Sequence, residues 1–192
     1  MNKEYRMMDV VAIEPEEDKQ QMIVEGYAIR FEEPATHVIG DTSYTEIISR
    51  SALDNADLKD VPFKYNHSDQ LMIMARTRSK TLELFVDDQG LYIRASLANT
   101  TTGRDLYELI KRGDIDKMSF AFTVDDDEYN RETKTRRITK IKKLYDVAAV
   151  DTPFYDTTTL SARSFFEMEI EKERKAADAA ELRKKLLLKT RL

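Results

Sequence analysis

The sequence predicts a mainly β domain with flanking helices (α+β), folded as a barrel or strongly bent sheet and followed by a helical C-terminal tail. Three observations predict it. Segments with period-two alternation recur along most of the chain. Only one segment before residue 164 carries a full set of helix signals. Beyond that point Gly and Pro vanish, while alanines cluster and Lys/Arg alternates with Glu. The 192 residues suit one domain of ordinary size. The reading divides them into a polar leader (1–19), a folded domain (20–164) and a charged helical tail (165–192).

Met1 to Asp18 is polar and acidic, contains Pro15 and shows no sustained period. Gln21 to Phe31 is rich in Ile, Val, Tyr and Phe and reads as a strand, with Gly26 as a possible bulge. Glu32 to Thr42 holds Pro34 and Gly40 and reads as a loop; Tyr44 to Ile48 reads as a short strand. Ser51 opens a short helical stretch. In Val61 to His67, residues Val61, Phe63, Tyr65 and His67 share one parity, the period of a strand. Leu71 to Ala75 continues in β style. Thr81–Val86 and Gly90–Leu97 form a hairpin around Asp87, Asp88, Gln89 and Gly90.

The clearest helix follows. Thr101 or Thr102 can cap it, Leu106, Leu109 and Ile110 share a face, and Gly113 can supply a left-handed stop. Met118–Val124 is a strand and Asp125–Lys134 a charged turn. Arg137–Ile141 and Leu144–Val150 are two further strands, ended by Pro153. The tail, with eight basic and six acidic residues, is a helix by propensity.

Bulk composition excludes several functions. The net charge of −5 gives no reason to expect nucleic acid. With no cysteine, disulfide scaffolds, thiolate zinc and cysteine catalysis are excluded. No apolar run approaches the roughly 18 residues of a membrane span. The expectation is a soluble intracellular protein without cofactor or metal. No HExxH, P-loop or GxGxxG is present, and the acidic run at Asp125–Glu128 lacks calcium-loop spacing.

The residues left for chemistry are few. Of the two histidines, His37 lies between Pro34 and Gly40, and His67 ends a strand, where a base can be held fixed. In Lys117–Val124 the bulky Met118, Phe120, Phe122 and Val124 share one parity. Ser119, Ala121 and Thr123 share the other, and a small-residue face leaves room for an extended peptide. Asp146 has only apolar parity mates, Leu144, Ala148 and Val150. A carboxylate there is costly unless paired.

Together these segments resemble the prohead maturation proteases of tailed phages, from about Val24 to about Thr159. The similarity rests on Glu25-Gly26-Tyr27-Ala28, Tyr44-Thr45-Glu46-Ile47-Ile48, Asn66-His67 and Gly90-Leu91. It continues through Thr102-Gly103-Arg104-Asp105, Leu109-Ile110-Lys111-Arg112-Gly113, Met118-Ser119-Phe120-Ala121-Phe122, Leu144-Tyr145-Asp146-Val147, Pro153 and Tyr155. Ala121 stands where the family usually has glycine, Ala148 where serine is common, and Asp146 where glutamate is usual. The resemblance implies a herpesvirus-protease-like β-barrel and a serine endopeptidase with Ser119 as nucleophile and His67 as general base. Asp146 would be the third member, with Asp151 its nearest competitor. It implies capsid and scaffold proteins as substrates, together with the chain itself, and a place in the host cytoplasm inside the immature capsid. Self-association is open. The rival readings are a catalytically silent capsid-assembly protein of the same fold and a carboxylate-rich metal hydrolase, the latter without a His-carboxylate cluster at ligand spacing.

Overall fold

Alternating apolar residues give two sheets that bury their bulky faces against each other. A computed structural model describes residues 3–13, 21–151 and 155–189. The first sheet holds β1 (Glu4–Asp9), β4 (Ala35–Ile39), β5 (Thr42–Ile48), β6 (Pro62–Tyr65), β7 (Ala75–Arg76), β10 (Lys117–Asn130) and β11 (Thr135–Val150). Its main order is β1-β10-β11-β5-β4, and β6 pairs with both β11 and β7. The second sheet runs β2 (Val11–Ile13), β3 (Ile23–Arg30), β9 (Gly90–Ser96), β8 (Leu82–Val86). Val24, Ile29, Leu91 and Ile93 of the second sheet share one core with Met118, Phe120, Phe122, Leu144 and Val147 of the first. Among the described residues the strands form two open sheets and no closed barrel, because β1 and β4 end the first sheet and β2 and β8 the second.

The chain passes from β1 to β2 through Val10, so one N-terminal segment serves both sheets. Part of the segment read as a polar leader is therefore strand, Glu4–Asp9 and Val11–Ile13. The signal was hidden because β1 buries Glu4 and Arg6 instead of apolar residues. Arg6 bonds Glu46, and Arg136 forks onto Glu4 at 2.8 and 3.0 Å while reaching Glu46 at 3.1 Å. Burying charges is tolerable only when they are paired in this way. Gly26 lets β3 pass close to the end of β1: a Cβ there would lie 2.6 Å from the Asp9 carbonyl oxygen.

Other elements shift from expectation. Residues 35–39, read as loop, form β4, which hairpins onto β5 with Gly40 left-handed at the turn. The helical stretch at Ser51 is a short 3-10 turn, Arg50–Leu53. Of the strand expected at Leu71–Ala75, Ala75 alone joins a strand, the two-residue Ala75–Arg76. The charged turn at Asp125–Lys134 is mostly strand. β10 runs to Asn130, and the two following strands are one, β11. Cross-strand charges support this arm, with Arg136 Nε donating to Asp127 at 2.7 Å and Lys140 to Asp126 at 3.3 Å. Helix α1 (Thr101–Arg112) is capped one residue earlier than expected, by Thr100, whose hydroxyl accepts from Gly103 N at 3.1 Å. Gly113 ends it at φ +80°.

Helix α2 (Tyr155–Lys189) is one continuous helix. Phe166 is fully buried against Tyr44 and His37, and Phe165 lies over the Arg136 guanidinium at 4.2 Å. The first turns beyond residue 164 therefore pack on the first sheet, over its buried ion network. From residue 171 to 184 the helix is exposed. Among the described residues no helix is long and apolar enough to cross a membrane.

Candidate active site

Three neighbouring strands of the first sheet carry the candidate residues. β10 runs antiparallel to β11, placing Ser119 opposite Ala148 and Ala121 opposite Asp146. On the far side of β11, parallel β6 sets Lys64 beside Ala148. On the other side of β10, β1 sets Met7 opposite Ser119 and Tyr5 opposite Ala121. Opposed residues project to the same side of a sheet. Ser119, Asp146, Lys64 and Tyr5 thus belong to one face, and the core-forming Phe120 and Val147 to the other.

His67 reaches that face by a break in the strand. By parity it would follow Phe63 into the core. β6 instead ends at Tyr65, and Asn66 and His67 both adopt left-handed backbone, φ 50° and 52°. Non-glycine residues seldom do so, Asn more readily than most. Asn66 is held there by its own Oδ1, which accepts the Asp151 amide at 3.2 Å. The turn delivers His67 Nδ1 to Asp146 Oδ1, where the two are hydrogen-bonded. His67 Nε2 is buried and, among the described residues, has no hydrogen-bond partner, so no hydrogen bond joins it to Ser119.

Asp146 is 4% exposed, and its second oxygen lies 3.5 Å from Lys64 Nζ. Lys64 also donates to Asp69 Oδ1 at 2.6 Å. Burial alone would lower the Lys64 ammonium, but the Asp69 hydrogen bond and the Asp146 charge outweigh it and leave it raised. Tyr5 stacks edge-on against the imidazole with ring centroids 4.8 Å apart. Its phenol is raised by burial and by the Asp146 charge.

The fold thus brings His67 to Asp146 and puts Ser119 on their face. Asp151 goes elsewhere: it accepts a hydrogen bond from Tyr65 Oη at 2.5 Å. The small-residue face around Ser119 is less open than its sequence suggests, since Ser119, Ala121 and Thr123 are all buried. His37 stands apart in β4, buried beneath Phe166. Between β11 and α2 the described chain includes Asp151, and Pro153 lies outside the described residues. Sequence reasoning missed Tyr5 and Lys64. The available signal for Lys64 was its parity, opposite to Phe63 and so on the non-core face.

A sequence search of curated proteins returns no match. Among solved structures, the bacteriophage T4 capsid assembly protease gp21 is similar in fold, with a TM-score of 0.51 at 14% identity over 80% of this chain and 100% of that one. The model of the caudovirus prohead serine protease family matches residues 8–172, a span that contains Lys64, His67, Ser119 and Asp146. By that match, which takes in every strand from β2 onward and the packed turns of α2, the chain belongs to the caudovirus prohead serine protease family.

Proposed function

We propose that this chain is a serine endopeptidase that cleaves capsid and scaffold proteins, and its own chain, inside the immature capsid in the host cytoplasm. Ser119 is the nucleophile, His67 the general base and Asp146 the orienting acid. The observation that carries this reading is the His67–Asp146 hydrogen bond on the Ser119 face of the sheet. With Nδ1 donating to Asp146, Nε2 is the ring nitrogen that can accept a proton. Ser119 stands diagonally from Asp146 across two strands, a separation of about 7–8 Å between such positions. An imidazole with a hydrogen bond at each end fits that span.

The chemistry follows from these roles. A serine hydroxyl is a weak nucleophile without an adjacent base. Ser119 Oγ attacks the scissile carbonyl carbon as His67 Nε2 takes its proton. The resulting imidazolium is stabilised by Asp146. As the C–N bond breaks, His67 returns the proton to the leaving amine, and an acyl group remains on Ser119. Water, deprotonated by the same imidazole, then cleaves the ester. Purified full chain should cut capsid or scaffold precursor into defined fragments, mapped by mass, and Ser119→Ala should keep the fold and stop the cutting. Cleavage by the alanine variant at the parent rate would refute the assignment; a folded parent chain that cuts neither precursor would favour the silent relative.

A further inference from the structure

Asp146 has two oxygens, and each meets a different cation-capable group. Oδ1 is bonded to His67 Nδ1, while Oδ2 lies 3.5 Å from the Lys64 ammonium. Lys64 is itself tethered. Its side chain is 14% exposed, its neighbour across β11 is Ala148, and Asp69 holds the ammonium at 2.6 Å from the solvent side, being 90% exposed. Ala148 is small, so nothing on β11 separates the lysine stem from Asp146 two residues along.

We propose that Lys64 is a positioning residue of the active site: it holds the outer oxygen of Asp146, keeps the inner one on His67, and with Asp69 sets the pH at which the imidazole becomes free base. The inference rests on the Ser119–His67–Asp146 assignment. A carboxylate with one bound oxygen can rotate about its Cβ–Cγ bond and lose aim. A second contact on the other oxygen fixes its plane, and with it the imidazole. Electrostatics adds a second effect. A cation beside the His67–Asp146 pair opposes protonation of the ring, and an anion nearby favours it. The charged and titratable groups facing the ring are Asp146 from β11, Lys64 from β6, Asp69 from the following loop and Tyr5 from β1. Tyr5 stays a neutral phenol, because its ionisation is pushed upward. Lys3 adds a positive charge near Asp69.

Two opposite shifts distinguish this role from a structural one. The chain has only two histidines, so its ring signals can be followed individually by NMR. In a Ser119→Ala background of the full chain, Lys64→Met should move the His67 titration midpoint to higher pH by about one unit. Asp69→Asn should move it to lower pH by less, and Lys64→Arg should leave it near the parent value. In the chain with Ser119 intact, the acid limb of kcat/KM should shift in the same order, and Lys64→Met should lower kcat about tenfold through lost alignment. If Lys64→Met does not fold, the Asp69→Asn shift decides alone. A midpoint unmoved by Lys64→Met, or moved upward by Asp69→Asn, overturns the proposal. Retained cleavage in Ser119→Ala would instead overturn the underlying assignment, whatever the NMR shows.

Discussion

Tyr5 and His67 meet edge to face, their ring centroids 4.8 Å apart and their planes at 72°. A residue in the first strand thereby braces the ring proposed as general base. Such aromatic pairs contribute roughly 1 kcal/mol. Tyr5→Ala is expected to retain the fold and lower kcat by about fivefold, with KM little changed. Tyr5→Phe should behave like the parent. Steady-state kinetics on a precursor-derived peptide checks both.

Asp146 and Asp151 should separate cleanly. Asp146→Asn can no longer favour the Nδ1–H tautomer and should lose up to about 10⁴ in kcat. Asp151→Asn alters the Tyr65 contact, keeps the backbone amide that Asn66 accepts, and should cost far less. The reverse ranking would transfer the role to Asp151.

Truncation should expose where the folded unit ends. Phe166 is fully buried against Tyr44 and His37, and Phe165 covers Arg136. A chain ending at residue 164 loses both. It should melt well below the full chain, as should Phe166→Ala, a change that costs about 3–5 kcal/mol in a packed core. A chain ending at residue 175 keeps the packed turns and should melt close to the parent. Thermal unfolding of the three variants beside the full chain checks this.

Acid should weaken the contact beneath α2. Burial, then the Arg6 and Arg136 charges, depress His37 to about 4. An unfolded histidine titrates near 6.5. Between these values the unfolded chain binds the extra proton, so stability falls as pH drops from about 6.5 to about 4 and this contribution is exhausted below. His37→Leu removes this contribution, so its urea midpoint should decline less steeply across that window than the parent's.

The fold was legible where burial selects apolar side chains. Met118, Phe120, Phe122 and Val124 announced β10 and put Ser119 on its other face, and Thr81–Leu97 announced its hairpin. It was illegible where charge is buried. Glu4 and Arg6 of β1 find partners in Glu46 and Arg136, far along the chain, and periodicity cannot see such pairing. His37 was hidden in a strand flanked by Pro34 and Gly40, residues that ordinarily mark loops. Motif order singled out Ser119, His67 and Asp146 as the proposed triad, and the fold sets them on one face of the sheet. Lys64 and Tyr5 were not singled out, since each looks like an ordinary residue until the register places it.

The left-handed pair at Asn66 and His67 carries a last consequence. Each such residue costs about 1–3 kcal/mol unless its surroundings hold it. The aim of the imidazole is therefore written into the main chain before its side chain selects a rotamer. A change that never touches peptide or imidazole can still misdirect proton transfer. Asn66→Ala removes the Asp151 amide contact that holds the unfavourable φ. It is expected to relax the turn, lower thermal stability and slow turnover together. Rigidity at one peptide unit is then what separates a working base from a merely nearby histidine.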